Sequence, residues 1–174
     1  MTGEPAPLPP AAVAALLRAA TAIRIELTAL PVSVAGWHVA PGEWCIKETL
    51  GHIIETEQRG FAGHIKVILD GADPSLAEWD QEAVARERRD CDKDLAALLD
   101  EFGALRSASV DLVAGLRAAE LQRGGHHPKI GYVTVADLLH EWVHHDRNHV
   151  KQTLTSVQEY AWPHMGATQG FYRP

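Results

Sequence analysis

One stripe of apolar side chains constrains this chain more than any other feature. Leu95, Leu98, Phe102, Leu105, Ser109, Leu112 and Leu116 follow one another in steps of three and four. Such steps stay on one face of an α-helix, and a stripe this long needs neighbouring helices to cover it. Three other segments offer that cover. Ala11 to Leu30 carries Val13, Leu17, Ala20, Leu27 and Leu30 at helical spacing and stops at Pro31. About Trp44 to Asp70 predicts a second helix, with Gly71 where a C-cap glycine belongs and Pro74 beyond it. Thr134 and Asp137 spell a T-x-x-D capping box that opens a fourth helix running to about Val157. The connections Val32 to Glu43, Ala72 to Asp90 and Glu120 to Val133 contain no alternating strand of useful length. At least one of them is long enough to cross a bundle. The expected fold is therefore all-α, a four-helix bundle over residues 11–158. A proline-rich N-terminal arm (1–10) precedes it, and a tail (159–174) with Tyr160, Trp162, Phe171 and Tyr172 follows.

Composition narrows the function classes. Apolar residues make up 46% of 174, enough for a real core. Formal net charge is -7 and no Lys/Arg cluster occurs, which argues against a nucleic-acid groove and against a basic membrane-surface helix. No run approaches the ~20 apolar residues of a membrane span, and no secretory signal is read at the start. Cys45 and Cys91 form neither a CxxC pair nor a disulfide framework and are read as small buried apolar groups. A cytoplasmic, reducing location is expected.

The chemistry concentrates on the fourth helix. His140-Glu-Trp-Val-His-His-Asp-Arg-Asn-His149 holds two i, i+4 histidine pairs, His140/His144 and His145/His149. The first also spells the zinc-protease pattern H-E-x-x-H. With Trp142 as the centre of the apolar face and about 100° per residue, His149 falls near -20° and His145 near -60°, inside the core sector. His140 and His144 fall near 160° and -160°, on the opposite face. A metzincin-type third ligand would fall at Val150, so the protease reading is set aside. The inward pair either shares a divalent cation such as Zn²⁺, Ni²⁺ or Fe²⁺, or is two hydrogen-bonded interior histidines. Glu141, beside His145, is either an outer-shell acceptor or a solvated charge. Asn148 and Gln152 flank the same edge.

Trp44-x-x-x-Glu48-x-x-x-His52-x-x-x-Thr56-Glu57, followed about ninety residues later by His145-Asp-x-x-His149-x-x-Gln152, resembles the DinB superfamily. That superfamily includes YfiT-like proteins and is related to mycothiol-dependent maleylpyruvate isomerases. The resemblance implies an up-down-down-up bundle and one divalent metal ion held by His52, His145 and His149. Periodicity alone places His52 elsewhere. Ile46, Leu50, Ile53, Ile54, Phe61, Ile65 and Ile68 form the apolar side of the second helix, and His52 lies nearly opposite, beside Glu48, Glu55 and Arg59. It can be a ligand only if that polar stripe lines a cavity. His64 is read as a satisfied core histidine.

What the resemblance implies about activity is a metal-dependent enzyme, a thiol-dependent transferase or isomerase or a hydrolase. Its substrate would be a small molecule, with a low-molecular-weight thiol as a possible partner. Glu48, Glu55 and Glu141 are the candidates for a general base, and Cys45, on the same face as His52, is the candidate for a protein nucleophile. The alternative is a non-enzymatic metal-binding or stress-response protein of the same fold. A homodimer is expected, with off-stripe Leu16 and Ile25 on the first helix as its apolar contacts. The tail is expected to form the wall nearest the metal.

Overall fold

The computed structural model describes residues 5–172. Its helices are α1 (Pro10–Ala20), α2 (Ile23–Thr28), α3 (Val32–Ala35), α4 (Ile46–Glu55), α5 (Ala62–Asp70), α6 (Gln81–Arg88), α7 (Leu95–Ala114) and α8 (Val135–Ala161). A hairpin of β1 (Gly124–His127) and β2 (Gly131–Thr134) precedes α8. Four rods make the bundle: α1 with α2, α4 with α5, α7, and α8. Residues 1–4 of the expected arm and 173–174 of the expected tail lie outside the described residues.

Local signals place the rod ends. Thr134 Oγ1 accepts the Asp137 N–H at 3.1 Å, and Asp137 Oδ2 accepts the Thr134 N–H at 2.9 Å, closing the capping box that starts α8. Asp94 caps α7 by accepting the Ala97 N–H at 3.2 Å. The core has two parts. One gathers Val13 and Leu17 of α1, Ile65 and Ile68 of α5, Val113 of α7 and Trp142 of α8. Trp142 is fully buried and stacks on Phe61 at 5.1 Å between ring centroids. The other gathers Leu27 of α2, Ile46, Leu50 and Ile54 of α4, and Leu98 and Phe102 of α7. Each large apolar side chain buried in this way contributes about 1.5–3 kcal/mol.

The second rod is not one regular helix. Between α4 and α5 a π-helical turn spans Thr56–Phe61, and the Ala62 N–H reaches back five residues to the Glu57 carbonyl. Gly63 permits this turn: a Cβ there would stand 2.1 Å from the Gln58 carbonyl oxygen.

The polar stripe of α4 does not face water, which corrects the surface reading of His52. Nine of the ten residues of α4 are buried. The connection after α5 supplies the cover. It folds as α6 and a 3₁₀ turn at Asp90–Asp92, both packed on α4. Gly51 lets this lid approach, since a Cβ there would fall 1.7 Å from Asp90 Oδ2. Periodicity saw an amphipathic helix because it could not see a polar segment arriving from forty residues downstream.

The cysteine reading is also corrected. Cys45, the N-cap of α4, and Cys91, in the 3₁₀ turn, are joined as a disulfide across 46 residues. Spacing gave no sign of it, because the same lid brings the two together. The hairpin is a further departure from the strandless connection expected between the third and fourth helices. Gly131, at φ 82°, supplies the left-handed position that turns the chain back into β2.

Candidate metal centre

His52 comes from the middle of α4, and His145 and His149 from successive turns of α8. One ring nitrogen from each lies within 4.8 Å of the other two. His52 Nε2 and His145 Nε2 face each other at 3.1 Å. Two imidazole nitrogens on a tetrahedral ion, each bound at about 2.0–2.1 Å, stand about 3.3–3.4 Å apart. The pair is therefore already close to ligand spacing. His149 Nδ1 donates to Gln152 Oε1 at 2.8 Å, which leaves the lone pair of that ring on Nε2. Among the described residues His145 Nδ1 is buried without a partner.

Electrostatics keeps these rings neutral. Burial, then the neighbouring His149, lowers His52 to about 4. Burial, then His149 and His52, lowers His145 to about 3. Burial also lowers His149, against the pull of Gln152 and Asp146. Three neutral imidazoles aimed at one point, repelling any proton brought there, fit a divalent metal ion. Three protein ligands leave further coordination positions free. Trp44 and Trp79 flank His52, with ring centroids at 5.0 and 6.2 Å.

A cavity of about 290 Å³ opens on the His145 side, lined by Phe61, His64, Trp79, His127, Glu141 and His145 among others. Its outer wall is the hairpin and the segment before α6. The described part of the tail does not line it, contrary to expectation. At the tail end of α8, Tyr160 meets Trp37 edge to face at 5.3 Å. His64 donates through Nε2 to the Ala77 carbonyl at 3.1 Å, as a satisfied interior histidine does.

The three carboxylates singled out in sequence go to different places. Glu48 accepts the Cys45 N–H at 2.9 Å and caps α4. Glu55 is gripped by Arg59 at 2.6 Å and Arg88 at 2.8 Å. Burial raises its carboxyl, but the two guanidinium groups outweigh this and hold it below the usual range. Glu141 alone shares the cavity with His145, and it does not reach His145 Nδ1. The outer pair separates too. His140 accepts the Leu8 N–H at 2.9 Å under the arm, and His144 is exposed.

Sequence reasoning missed the buried cluster behind the histidines. Arg106 of α7 donates to Glu57 through Nε at 2.9 Å and to Asp146 through Nη1 at 2.6 Å, all three nearly inaccessible. Burial raises both carboxyls, against the attraction of Arg106. The signal existed: Asp146 falls at about 40° from Trp142, inside the core sector, and Arg106 sits on the α7 stripe four residues after Phe102.

The sequence pattern of the DinB superfamily matches residues 15–153, and the chain belongs to that superfamily. No curated protein matches the chain. Among solved structures it is similar to YfiT from Bacillus subtilis, called a probable metal-dependent hydrolase with an unusual four-helix bundle topology. The two share 15% identity with a TM-score of 0.77, over 92% of this chain and 94% of that one. At that identity the likeness establishes the fold, an all-α four-helix bundle of the topology expected for the family.

Proposed function

We propose that this protein is a metal-dependent enzyme whose ion is held by His52, His145 and His149 and whose small-molecule substrate enters the adjoining cavity. The observation that carries this is the convergence of three neutral imidazoles, two of them 3.1 Å apart, on the wall of a small-molecule-sized cavity. A divalent ion bound there would lower the pKa of a water or thiol ligand and supply a nucleophile at neutral pH. Gln152 fixes the tautomer of His149, and Arg106 with Asp146 holds the α8 backbone that carries both ligands. Trp44 and Trp79 exclude water from His52. Glu141 is the proton acceptor of this reading, since it lines the cavity with His145 and Glu48 and Glu55 do not. The reaction is hydrolysis or a thiol-dependent transfer. The reading includes a cytoplasmic location, where a thiol co-substrate stays reduced and the Cys45–Cys91 disulfide is open to reduction. Exposed Ile25 on α2 supports a homodimer, tested by light scattering: a mass that stays monomeric at every concentration removes that part.

The test begins with elemental analysis of the purified chain, expecting about one Zn, Ni or Fe per protein. The loaded protein is then screened against hydrolysable esters and amides, and against low-molecular-weight thiols paired with electrophilic acceptors. Turnover lost in Glu141→Gln, with metal content unchanged, supports the assignment. Tight metal binding without turnover in either screen would favour the non-enzymatic alternative.

A further inference from the structure

Outside the three-histidine centre, a second set of ligand-type side chains converges. His38, Cys45, Glu48 and Cys91 each offer a ligand atom, and these atoms all lie within 4.8 Å of one another. They come from four separate places: the loop before α4, the N-cap of α4, its first turn, and the 3₁₀ turn ahead of α7. We infer that, once the Cys45–Cys91 disulfide is reduced, these four residues form a second divalent-metal site, thiolate-rich and suited to zinc.

His38 carries the argument furthest. Its Nδ1 lies 2.7 Å from the Glu43 carbonyl, which can only accept, so Nδ1 holds the proton. In the neutral ring the lone pair is then on Nε2, and Nε2 points at Cys91 Sγ from 3.6 Å. A disulfide sulfur has no proton to give that lone pair. A cation shared with the sulfur would satisfy it, and the backbone carbonyl on the far nitrogen is the usual outer support of a ligating imidazole. The spacing agrees. A sulfur at about 2.3 Å and a nitrogen at about 2.0–2.1 Å on tetrahedral zinc stand about 3.6 Å apart.

The other members are equally supported. Glu48 uses Oε2 to accept the Cys45 N–H at 2.9 Å, which fixes its carboxylate beside both cysteines. Lys47 donates to the carbonyls of Cys91 and Lys93, the latter at 2.9 Å, and so fixes the turn that carries Cys91. The Cys45 and Cys91 Cα atoms are 6.8 Å apart, at the wide end of the disulfide range. The sulfurs can part to ligand spacing without moving the backbone. Two thiolates, an imidazole and a carboxylate are a zinc-type donor set and a poor one for magnesium or calcium.

The chemistry balances with a thiol as reductant. Two RSH molecules exchange with the disulfide, giving RSSR and two cysteine thiols. Binding of the ion then releases the two thiol protons. The disulfide and the metal compete for the same two sulfurs, so the redox state of the compartment selects between them.

Cobalt is the probe. The oxidised wild-type chain is titrated with Co²⁺, then reduced with a phosphine under argon and titrated again. The expected result is one additional ion per chain after reduction, with a sulfur-to-cobalt charge-transfer band in the near ultraviolet. The two thiols should become unreactive towards a thiol reagent in the same step. The three-histidine centre contains no sulfur, so His145→Ala/His149→Ala should keep the band. Cys91→Ser should abolish it, and His38→Ala should weaken cobalt uptake at least tenfold. The proposal is overturned if the reduced wild-type chain binds the same number of ions as the oxidised one, or binds an extra ion without the band. That comparison needs no variant to fold.

Discussion

Arg106 grips Asp146 with both terminal nitrogens, Nη1 to Oδ2 at 2.6 Å and Nη2 to Oδ1 at 3.1 Å, and Asp146 is the residue that follows His145. The forked contact pins α8 to α7 directly behind the histidine cluster. The same guanidinium reaches Glu57 in the π-helical turn and the Leu17 carbonyl of α1. One side chain thus ties all four rods together at the level of the site.

Replacing Arg106 with Met should leave two carboxylates buried without their cation, at a cost of about 3–5 kcal/mol. Metal binding should weaken as well, because Asp146 loses its anchor. Denaturant unfolding and cobalt titration read the two effects. Unchanged stability would show the cluster to be incidental.

His145→Ala/His149→Ala should abolish uptake at the three-histidine centre. His140→Ala/His144→Ala should leave it intact, releasing only the arm through the lost contact to the Leu8 N–H. If the outer pair proves necessary and the inner pair dispensable, the assignment of the site is wrong.

Acid should destabilise the metal-free protein. Unfolded histidines take up protons near pH 6.5, whereas His52 waits until about 4 and His145 until about 3. The unfolded state therefore binds more protons across this window. Stability should be full above about pH 6.5 and fall steadily as the pH drops towards 4. Melting temperature against pH, measured in chelator, tests this; a flat profile from 7 to 4.5 would contradict the burial of these rings.

Gly51→Ala gains helix propensity of about 1 kcal/mol. The new methyl would nevertheless collide with Asp90, a buried carboxylate held by Arg88 at 2.7 Å and Lys93 at 2.8 Å. Overpacking of this kind costs about 1–3 kcal/mol. The expected outcome is net destabilisation, with the lid over α4 loosened, read as faster amide exchange in residues 81–92.

The bundle was legible because helix periodicity is a local property. The α7 stripe, the Thr134 capping box and the inward phase of His145 and His149 can all be found within a few turns of chain. His52 was legible only through family resemblance. Its burial depends on a lid that joins α4 through Arg88 and Asp90, and no local pattern records that contact. The disulfide escaped for the same reason. Trp79 and Arg106 lay in plain sequence, yet an isolated aromatic in a polar connection and an arginine on an apolar stripe have meaning only once their partners are placed.

The π-helical turn carries one further implication. It acts as a single-residue insertion in a rod that would otherwise be uniform, offsetting the faces before and after it by about 100°. Deleting Gly60 should restore an unbroken helix from Ile46 to Asp70. The deletion takes out the surplus residue together with the turn, so His52 and Phe61 should keep their faces; straightening the turn with every residue kept would hold Phe61 under Trp142 only if His52 swung away from His145. At their spacing in this chain the core residue and the histidine occupy incompatible phases of an ordinary helix, and the π-helical turn is what lets a single polypeptide rod serve both.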